Sequence, residues 1–261
     1  MADTLSLEGK VAIITGSGRE TGIGAATATA LARNGAAVTI NYVSEQSASR
    51  AANVVKSIQD AGGRAIAVRA DVTTPEGAEK LVQETLKGFN TDKIDILINN
   101  AGAAHGGPLV MKVTPEDIDA TFATSVRAPI LLMQATVPHM PQYSRIINIS
   151  SVVSKLGLDG VALYAGGKAA MDTITYAMAS ELGKAGKNIT VNTVAPGFTV
   201  TEILPADVMD AFNKQLTPLT RVEERPGRPE DIADAILLLV SEKSRWITGQ
   251  YISVSGGISG N

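Results

Sequence analysis

The chain has 261 residues, of which 44% are hydrophobic and 19% charged, so it can bury a large core and is not globally disordered. Its formal net charge is −3 and it lacks long basic runs, which argues against a nucleic-acid partner. It contains no cysteine, which excludes disulfides, thiolate zinc sites and cysteine nucleophiles. The first apolar run, Val11–Ile14, is too short for a signal peptide or a membrane span, so we expect a cytoplasmic protein without a membrane partner.

Short β-branched runs alternate with longer, alanine-rich helical stretches along the whole chain. Most runs are continuously apolar, as in strands that are buried on both faces of a parallel sheet. We therefore predict an α/β fold: one domain over residues 1–261, with a Rossmann-like, doubly wound parallel sheet of about seven strands and helices on both faces. The predicted strands are Val11–Thr15, Ala37–Tyr42, Ala65–Asp71, Ile94–Asn99, Arg145–Ser151, Ile189–Ala195 and Tyr251–Val254.

Several helix ends carry local signals. Thr114–Asp117 supplies a capping hydroxyl, a proline and two acidic residues, and Arg228–Asp231 repeats the proline and the acids. Gly35 and Gly62 each stand just before a predicted strand, which is typical of a helix C-terminus.

The first predicted strand ends in a glycine-rich turn, TGSGRETGIG at residues 15–24, and a helix of small residues follows. Such a turn lets backbone N–H groups approach a pyrophosphate, and the start of the helix favours its negative charge. A tight turn without a ligand is the alternative, because a glycine cluster alone is a weak signal. The residues predicted to contact a dinucleotide here are Gly16, Ser17, Arg19, Thr21, Gly22 and Ile23.

The second predicted strand ends in Asn41, Tyr42, Val43 and Ser44 and offers no carboxylate. An acidic residue at this point usually holds the ribose 2′-hydroxyl of a dinucleotide, and it would repel a 2′-phosphate. Asn41 and Ser44 can donate hydrogen bonds to such a phosphate, so the pattern favours NADP(H) as the cofactor, with Tyr42 as a further contact. Alternatively, Asn41 and Ser44 only open the next helix.

With the motifs that follow, the chain resembles the short-chain dehydrogenase/reductase family over nearly its whole length. The matching segments stand in family order: Thr15–Gly16 with Gly22–Gly24, Asp71–Val72, Asn99–Gly102, Ser151, Tyr164–Lys168 and Pro196–Thr201. The resemblance implies that the Asp-Val pair contacts the adenine, that the Asn-Asn-Ala-Gly segment lies along the cofactor and that the Pro-Gly segment frames the nicotinamide. These implied roles fall on Asp71, Val72, Asn99, Ala101, Gly102, Pro196, Gly197, Thr199 and Thr201.

Three features depart from the family pattern. Five residues, Ser17–Thr21, separate Thr-Gly from Gly-Ile-Gly where three are usual, a longer loop that resembles the enoyl-reductase branch. This loop leaves open whether Arg19 or Glu20 faces the ribose phosphate. The family's helix asparagine, which holds a water that links the lysine to solvent, is replaced by Ser125. Ser255 stands where an acidic residue is usual, and we assign it no function.

Tyr164 and Lys168 are four residues apart in a predicted helix, so their side chains share one face. An ammonium beside the phenol, helped by the charge of an oxidised nicotinamide, should lower the tyrosine pKa from its usual value of about 10. Ser151, thirteen residues before Tyr164, can stabilise charge on a substrate oxygen, and Ser150 is the alternative. The sequence therefore predicts Tyr164 as general acid and base, with Lys168, Ser151 and the water-binding Ser125 beside it.

The segment 198–225 is predicted to be a flap over a substrate pocket, and the residues around it are mostly apolar. A moderately hydrophobic ketone, or its alcohol in the reverse direction, fits this pattern better than a sugar or a small acid. The candidate substrate contacts are His105, Val153, Leu158, Phe198, Ile203 and Leu204, and no cluster has metal-ligand spacing. The resemblance also implies a homotetramer or homodimer, with subunit contacts through helices around 114–137 and 163–182.

Two other functions remain open at this level. The chain can be a cofactor-binding scaffold or sensor with the reductase fold, although the presence of Ser151, Tyr164 and Lys168 argues against it. It can also be an isomerising or ring-forming enzyme that uses the same pocket.

Overall fold

The computed structural model describes residues 5–102, 109–201 and 206–258. Seven parallel strands form one sheet in the order β3-β2-β1-β4-β5-β6-β7. The strands are β1 Val11–Ile14, β2 Ala37–Tyr42, β3 Arg64–Arg69, β4 Ile96–Asn99, β5 Arg145–Ile149, β6 Thr190–Pro196 and β7 Tyr251–Val254. The predicted fold class is thus confirmed, with all seven strands in place.

Eight α-helices connect and cover these strands within the described ranges. They are α1 Ile23–Arg33, α2 Ala48–Asp60, α3 Pro75–Phe89, α4 Pro115–Phe122, α5 Ala128–Thr136, α6 Ala162–Leu182, α7 Ala206–Leu216 and α8 Pro229–Val240. A π-helical turn, Ala123–Arg127, joins α4 to α5 without a break in the chain direction. None of these helices is long and apolar enough to cross a lipid bilayer, as far as the described residues show.

Two apolar layers lie on the two sides of the sheet. Ile14 of β1 points into the layer formed with α1, α2 and α8, and its neighbour Ile13 points into the layer formed with α3, α5 and α6. Both isoleucines are completely buried. The continuous apolar runs follow from this arrangement, because each strand is covered on both faces.

The predicted helix ends have a clear physical basis. The Thr114 hydroxyl accepts the Asp117 N–H, and the Asp117 carboxylate accepts the Thr114 N–H, which forms a capping box at the start of α4. At the start of α8 the Asp231 carboxylate likewise accepts the Arg228 N–H. Beyond α1, Gly35 has a positive φ of 101°, a conformation that glycine adopts without steric cost.

The strand order reverses at β1, which lies between β2 and β4 in the sheet. In an open α/β sheet the crevice at the carboxyl ends of the strands next to such a reversal is where ligands bind. The predicted strand ends Thr15, Asp71 and Ser151 lie just outside β1, β3 and β5 as the structure has them. The chain leaves the sheet at these polar residues; Asp71 and Ser151 line the crevice, whereas Thr15 is fully buried.

Candidate active site

One elongated cavity of about 570 Å³ lies along the carboxyl ends of the strands. It runs from the glycine turn after β1, past the ends of β2, β3 and β4, to the start of α6 and the loop after β6. Twenty of the predicted site residues line it: Gly16, Arg19, Gly22, Ile23, Asn41, Tyr42, Ser44, Asp71, Val72, Ala101, Gly102, Ser151, Val153, Tyr164, Lys168, Pro196, Gly197, Phe198, Thr199 and Thr201. The structure therefore brings together residues that lie up to 185 positions apart, from Gly16 to Thr201.

The glycine turn is held tightly against the end of β4. Gly16 has a φ of +61°, and a Cβ on it would lie 2.8 Å from the Ala101 Cα. A Cβ on Gly24 would lie 2.6 Å from the Asn100 amide nitrogen. Helix α1 starts here without a capping side chain and without an acidic residue in its first turn. Its free N–H groups and positive end can therefore receive a phosphate.

The two charged side chains of the lengthened turn point in different directions. Arg19 is exposed and lines the cavity. Glu20 turns towards α2, where its carboxylate accepts a hydrogen bond of 2.7 Å from the Asn53 amide and lies 3.5 Å from the Arg50 guanidinium. The question left open by the sequence is thereby answered in favour of Arg19 as the side chain at the cavity.

Asn41 and Ser17 have a different position from the one predicted. The Asn41 side chain is fully buried; its carbonyl accepts the Gly16 N–H at 3.2 Å and its amide donates to the Ala70 carbonyl at 3.0 Å. The Ser17 hydroxyl is also fully buried and donates to the Ile14 carbonyl at 2.7 Å. These polar groups are used inside the turn; Asn41 also lines the cavity, Ser17 does not, and a contact of either residue with the cofactor stays a prediction.

A related difference between prediction and structure is found at the end of β4. The Asn99 amide lies beneath the cavity and donates to the Asn148 amide oxygen at 2.7 Å, whereas Asn100 lines the cavity. The Asn100 amide donates to the Thr15 carbonyl at 2.8 Å. Sequence reasoning chose Asn99 because the motif alone does not show which of two consecutive asparagines faces the ligand side; alternation along the strand decides it. Thr21, also predicted as a contact, is exposed and does not line the cavity.

The proposed catalytic side chains meet at the far end of the cavity. Ser151 and Tyr164 both line this end, and the Ser151 hydroxyl is close enough to the phenol to lower its pKa. Lys168 follows Tyr164 by one turn of α6, with its ammonium 5.6 Å from the phenol ring centre and 2.6 Å from the Ile149 carbonyl that accepts its hydrogen bond. The Ser150 hydroxyl instead lies near the Asp172 carboxylate, whose pKa it lowers. The structure therefore favours Ser151 over Ser150 as the partner of Tyr164.

Burial decides the proton affinities of this pair. Desolvation raises the pKa of Tyr164 to about 12, and the hydrogen bond from Ser151 only partly opposes it. Desolvation also lowers the pKa of Lys168 to about 8, against the Coulomb attraction of Asp172. The expected lowering of the tyrosine pKa is thus not found in the protein alone, because the cost of burying a phenolate exceeds the help from one ammonium. At neutral pH the phenol is protonated and the lysine is mostly charged.

Ser125 lies behind this pair and not in the cavity. It is buried in the π-helical turn, and its Cβ would be 2.9 Å from a Cβ placed on Gly167, the residue before Lys168. Thr124 is the residue of this turn that lines the cavity. Ser125 therefore contacts the helix that carries Lys168, as expected of the position, while its role in binding a water stays a prediction.

The pocket beside Tyr164 is apolar. Val153 and Phe198 line it as predicted, whereas Leu158 does not. Three further apolar residues contribute that sequence reasoning did not select as contacts: Val161 before α6, and Phe212 and Leu216 on α7. The amphipathic pattern of α7 was the available signal, since Phe212 and Leu216 are four residues apart on one face. His105, Ile203 and Leu204 lie outside the described residues.

Comparison with known proteins agrees with this architecture. A family model described as enoyl-(acyl carrier protein) reductase matches residues 16–259. Versicolorin reductase 1 of Aspergillus parasiticus is 38% identical over 272 residues, which cover 98% of this chain and 99% of that protein.

Solved structures are equally similar. A short-chain dehydrogenase from Burkholderia cenocepacia in complex with NADP superposes with a TM-score of 0.86 at 38% identity, over 97% of this chain and 98% of that one. The promiscuous reductase LugOII, which catalyses keto-reduction during lugdunomycin biosynthesis, gives a TM-score of 0.88 at 37% identity, over 97% and 98% of the two chains. The chain belongs to the short-chain dehydrogenase/reductase family and is an oxidoreductase that acts on C=O and CH–OH groups.

Proposed function

We propose that the protein is an NADP(H)-dependent reductase of a moderately hydrophobic ketone. The observation that carries this proposal is the meeting of Ser151, Tyr164 and Lys168 in one cavity with the glycine turn, with Lys168 one helical turn from Tyr164. Proton transfer to a carbonyl oxygen needs an acid within hydrogen-bond reach of it, and an oxygen placed between these two hydroxyls meets that condition.

The protonation state of each side chain determines its role in the reaction. Ser151 donates a hydrogen bond to the carbonyl oxygen and stabilises the negative charge that develops there. Tyr164, protonated at neutral pH because burial raises its pKa to about 12, gives its proton to that oxygen. The ammonium of Lys168 stabilises the phenolate that remains. A reduced nicotinamide, when bound in the cavity, supplies the hydride to the carbonyl carbon.

The glycine turn and the ends of the strands fit a dinucleotide with a 2′-phosphate. Arg19, Ser44 and Ser47 line the cavity at the end of β2. The nearby carboxylates are engaged elsewhere: Glu20 with Asn53, and Glu45 with Arg69. A guanidinium and two hydroxyls without an opposing acid favour NADP(H) over NAD(H), and the related structure from Burkholderia cenocepacia was solved with NADP.

The apolar walls suit a ketone with a ring or a chain that buries carbon surface. The cavity that Tyr164 lines also has these apolar residues in its walls: Val153, Val161, Phe198, Phe212 and Leu216. The relatives support the same class, since one is named a versicolorin reductase and another carries out keto-reduction during biosynthesis of lugdunomycin.

The test is a spectrophotometric assay of NADPH consumption with a panel of ketones of increasing hydrophobicity. We expect turnover with NADPH that exceeds turnover with NADH, and a kcat/KM that rises with the apolar area of the ketone. Tyr164→Phe should lower kcat by at least about a hundredfold, because general acid catalysis contributes about 10² to 10⁴, and Tyr176→Phe is a matched control, since Tyr176 is exposed. A fully active Tyr164→Phe variant would contradict the mechanism, and equal rates with NADH would contradict the cofactor assignment.

A further inference from the structure

Asp172 lies on the catalytic helix, one turn beyond Lys168. Tyr164, Lys168 and Asp172 are spaced four residues apart on α6, so their side chains stand on one face of the helix. Lys168 is 5% exposed, and both carboxylate oxygens of Asp172 are shielded from solvent. A buried acid therefore stands next to the buried amine on which the proposed proton transfer depends.

The polar groups around Asp172 belong to residues close to Ser151 in the chain. Burial raises the pKa of the Asp172 carboxyl group. The hydroxyls of Ser150 and Ser154, on either side of Ser151 in the chain, lie near the carboxylate and partly oppose this shift. Among the described residues, neither hydroxyl and neither carboxylate oxygen reaches a well-formed hydrogen bond. Burial of four oxygen atoms without a close partner lowers the stability of the fold. A contribution to stability therefore does not explain this cluster.

We propose that Asp172 is a positioning residue for the reaction: through its charge it keeps the neighbouring Lys168 side chain in the ammonium form at the pH at which the enzyme works. The proposal rests on the reductase function inferred above, because it concerns the charge state of Lys168 in that mechanism. It explains why an acidic side chain is buried at a position where it has no ion pair of its own within the described residues.

Few other charges act on Lys168. On α6 its neighbours are Tyr164 and Asp172, and β6 carries no ionisable residue. The loop after β5 carries Lys155, whose ammonium is 5.2 Å from the Tyr251 ring centre and attracts Asp172 from the outer side. The carboxylate of Asp117, on α4, is held in its own capping box.

The π-helical turn that packs against α6 contains one charged residue, Arg127, whose guanidinium donates to the Thr73 carbonyl. Across the cavity, Asp71 is engaged by the hydroxyl and N–H of Thr73. Asp172 is therefore the acid placed to act on Lys168, and it opposes the desolvation that lowers the lysine pKa to about 8.

The direction of the effect follows from the charges. Removal of the negative charge at position 172 leaves desolvation unopposed, so the Lys168 amine loses its proton at lower pH. In the reductive direction a neutral amine no longer stabilises the phenolate, so the alkaline limb of the rate profile should move to lower pH. In a buried site, an opposite charge within about 4 to 6 Å shifts a pKa by about one to three units.

The direct test measures the lysine itself. Protein labelled with [ε-13C]lysine is titrated by NMR without cofactor, with Lys168→Met used to assign the resonance. In Asp172→Asn we expect the Lys168 midpoint to fall by about one pH unit, and in Asp172→Glu to stay near the wild-type value. Asp60→Asn, an exposed acid on α2, is the matched control and should leave the midpoint unchanged.

The kinetic test follows kcat/KM for NADPH-dependent reduction from pH 6 to pH 10. Asp172→Asn should match the wild type at pH 6 and lose about tenfold at pH 9, which a merely structural defect would not do selectively. An unchanged Lys168 midpoint in a folded Asp172→Asn protein would overturn the proposal. Failure of the wild type to reduce any ketone would instead overturn the proposed function, while the titration would still report on Asp172.

Discussion

Arg19 is the charged side chain of the glycine turn that lines the cavity. Its guanidinium is exposed and lines the cavity, whereas the adjacent Glu20 is tied to α2 through Asn53 and Arg50. The two extra residues in the turn make this separation possible, because they let consecutive side chains point to the cavity and to the helix. Cofactor choice in this protein is therefore expected to depend on one side chain more than on the whole turn.

Substitution of Arg19 by Ala should raise the KM for NADPH by about tenfold or more and leave the KM for NADH nearly unchanged. A charge-assisted hydrogen bond contributes about 1.5 to 3 kcal/mol, and only the 2′-phosphate can accept it. Steady-state kinetics with both cofactors measure the effect. Arg33→Ala, an exposed arginine at the end of α1, is the control; a parallel loss with NADH would mean that Arg19 does not recognise the 2′-phosphate.

At the scale of secondary-structure elements, the glycine turn depends on its attachment to β2 and β3. The Asn41 side chain at the end of β2 joins the Gly16 N–H to the Ala70 carbonyl after β3. Thr15 adds a connection to β4, since its hydroxyl accepts the N–H groups of Asn100 and Ala101 at 3.0 and 2.9 Å. Buried side chains that satisfy several backbone groups at once fix the relative position of the elements they join.

Asn41→Ala should therefore destabilise the protein by about 1 to 3 kcal/mol, because it leaves buried backbone groups without partners. Urea unfolding gives this difference, and the variant should also bind NADPH more weakly. The control is Ser44→Ala at the same strand end, where an exposed hydroxyl is lost and a change below about 0.5 kcal/mol is expected. Equal stability of Asn41→Ala and wild type would show that the turn does not need this side chain.

At the scale of the whole molecule, several large apolar side chains remain at the surface of helices that the family resemblance assigns to subunit contacts. Ile118 and Phe122 on α4 are 43% and 38% exposed, and Tyr176 on α6 is 71% exposed. Surface apolar patches on a single chain often mark contacts with another protein. A homotetramer stays our prediction for the assembly.

Light scattering after size-exclusion chromatography should give a mass of about four times the 27.1 kDa chain. Phe122→Lys should shift the mass to that of a dimer or a single chain, because a buried ammonium at the contact is costly. Val222→Lys, at a residue that is 83% exposed and outside both helices, should leave the mass unchanged. A wild-type mass of one chain would contradict the prediction.

The sequence alone determined the fold class and the seven strands, and together with the family resemblance it predicted Ser151, Tyr164 and Lys168 as the residues of one site. Continuous apolar runs, helical spacing and an ordered set of motifs are local signals that can be read from the sequence. They predict strands and helix faces because buried strands and helices place their side chains at fixed periods along the chain.

Only the tertiary structure decided which of two adjacent polar residues faces the cavity. It separated Arg19 from Glu20, Asn100 from Asn99 and Ser151 from Ser150. It also turned the Asn41 side chain inward and buried both carboxylate oxygens of Asp172. Hydrogen bonds between distant segments determine where these side chains point, and burial from solvent determines their pKa values. Neither can be predicted from a repeating pattern in the sequence.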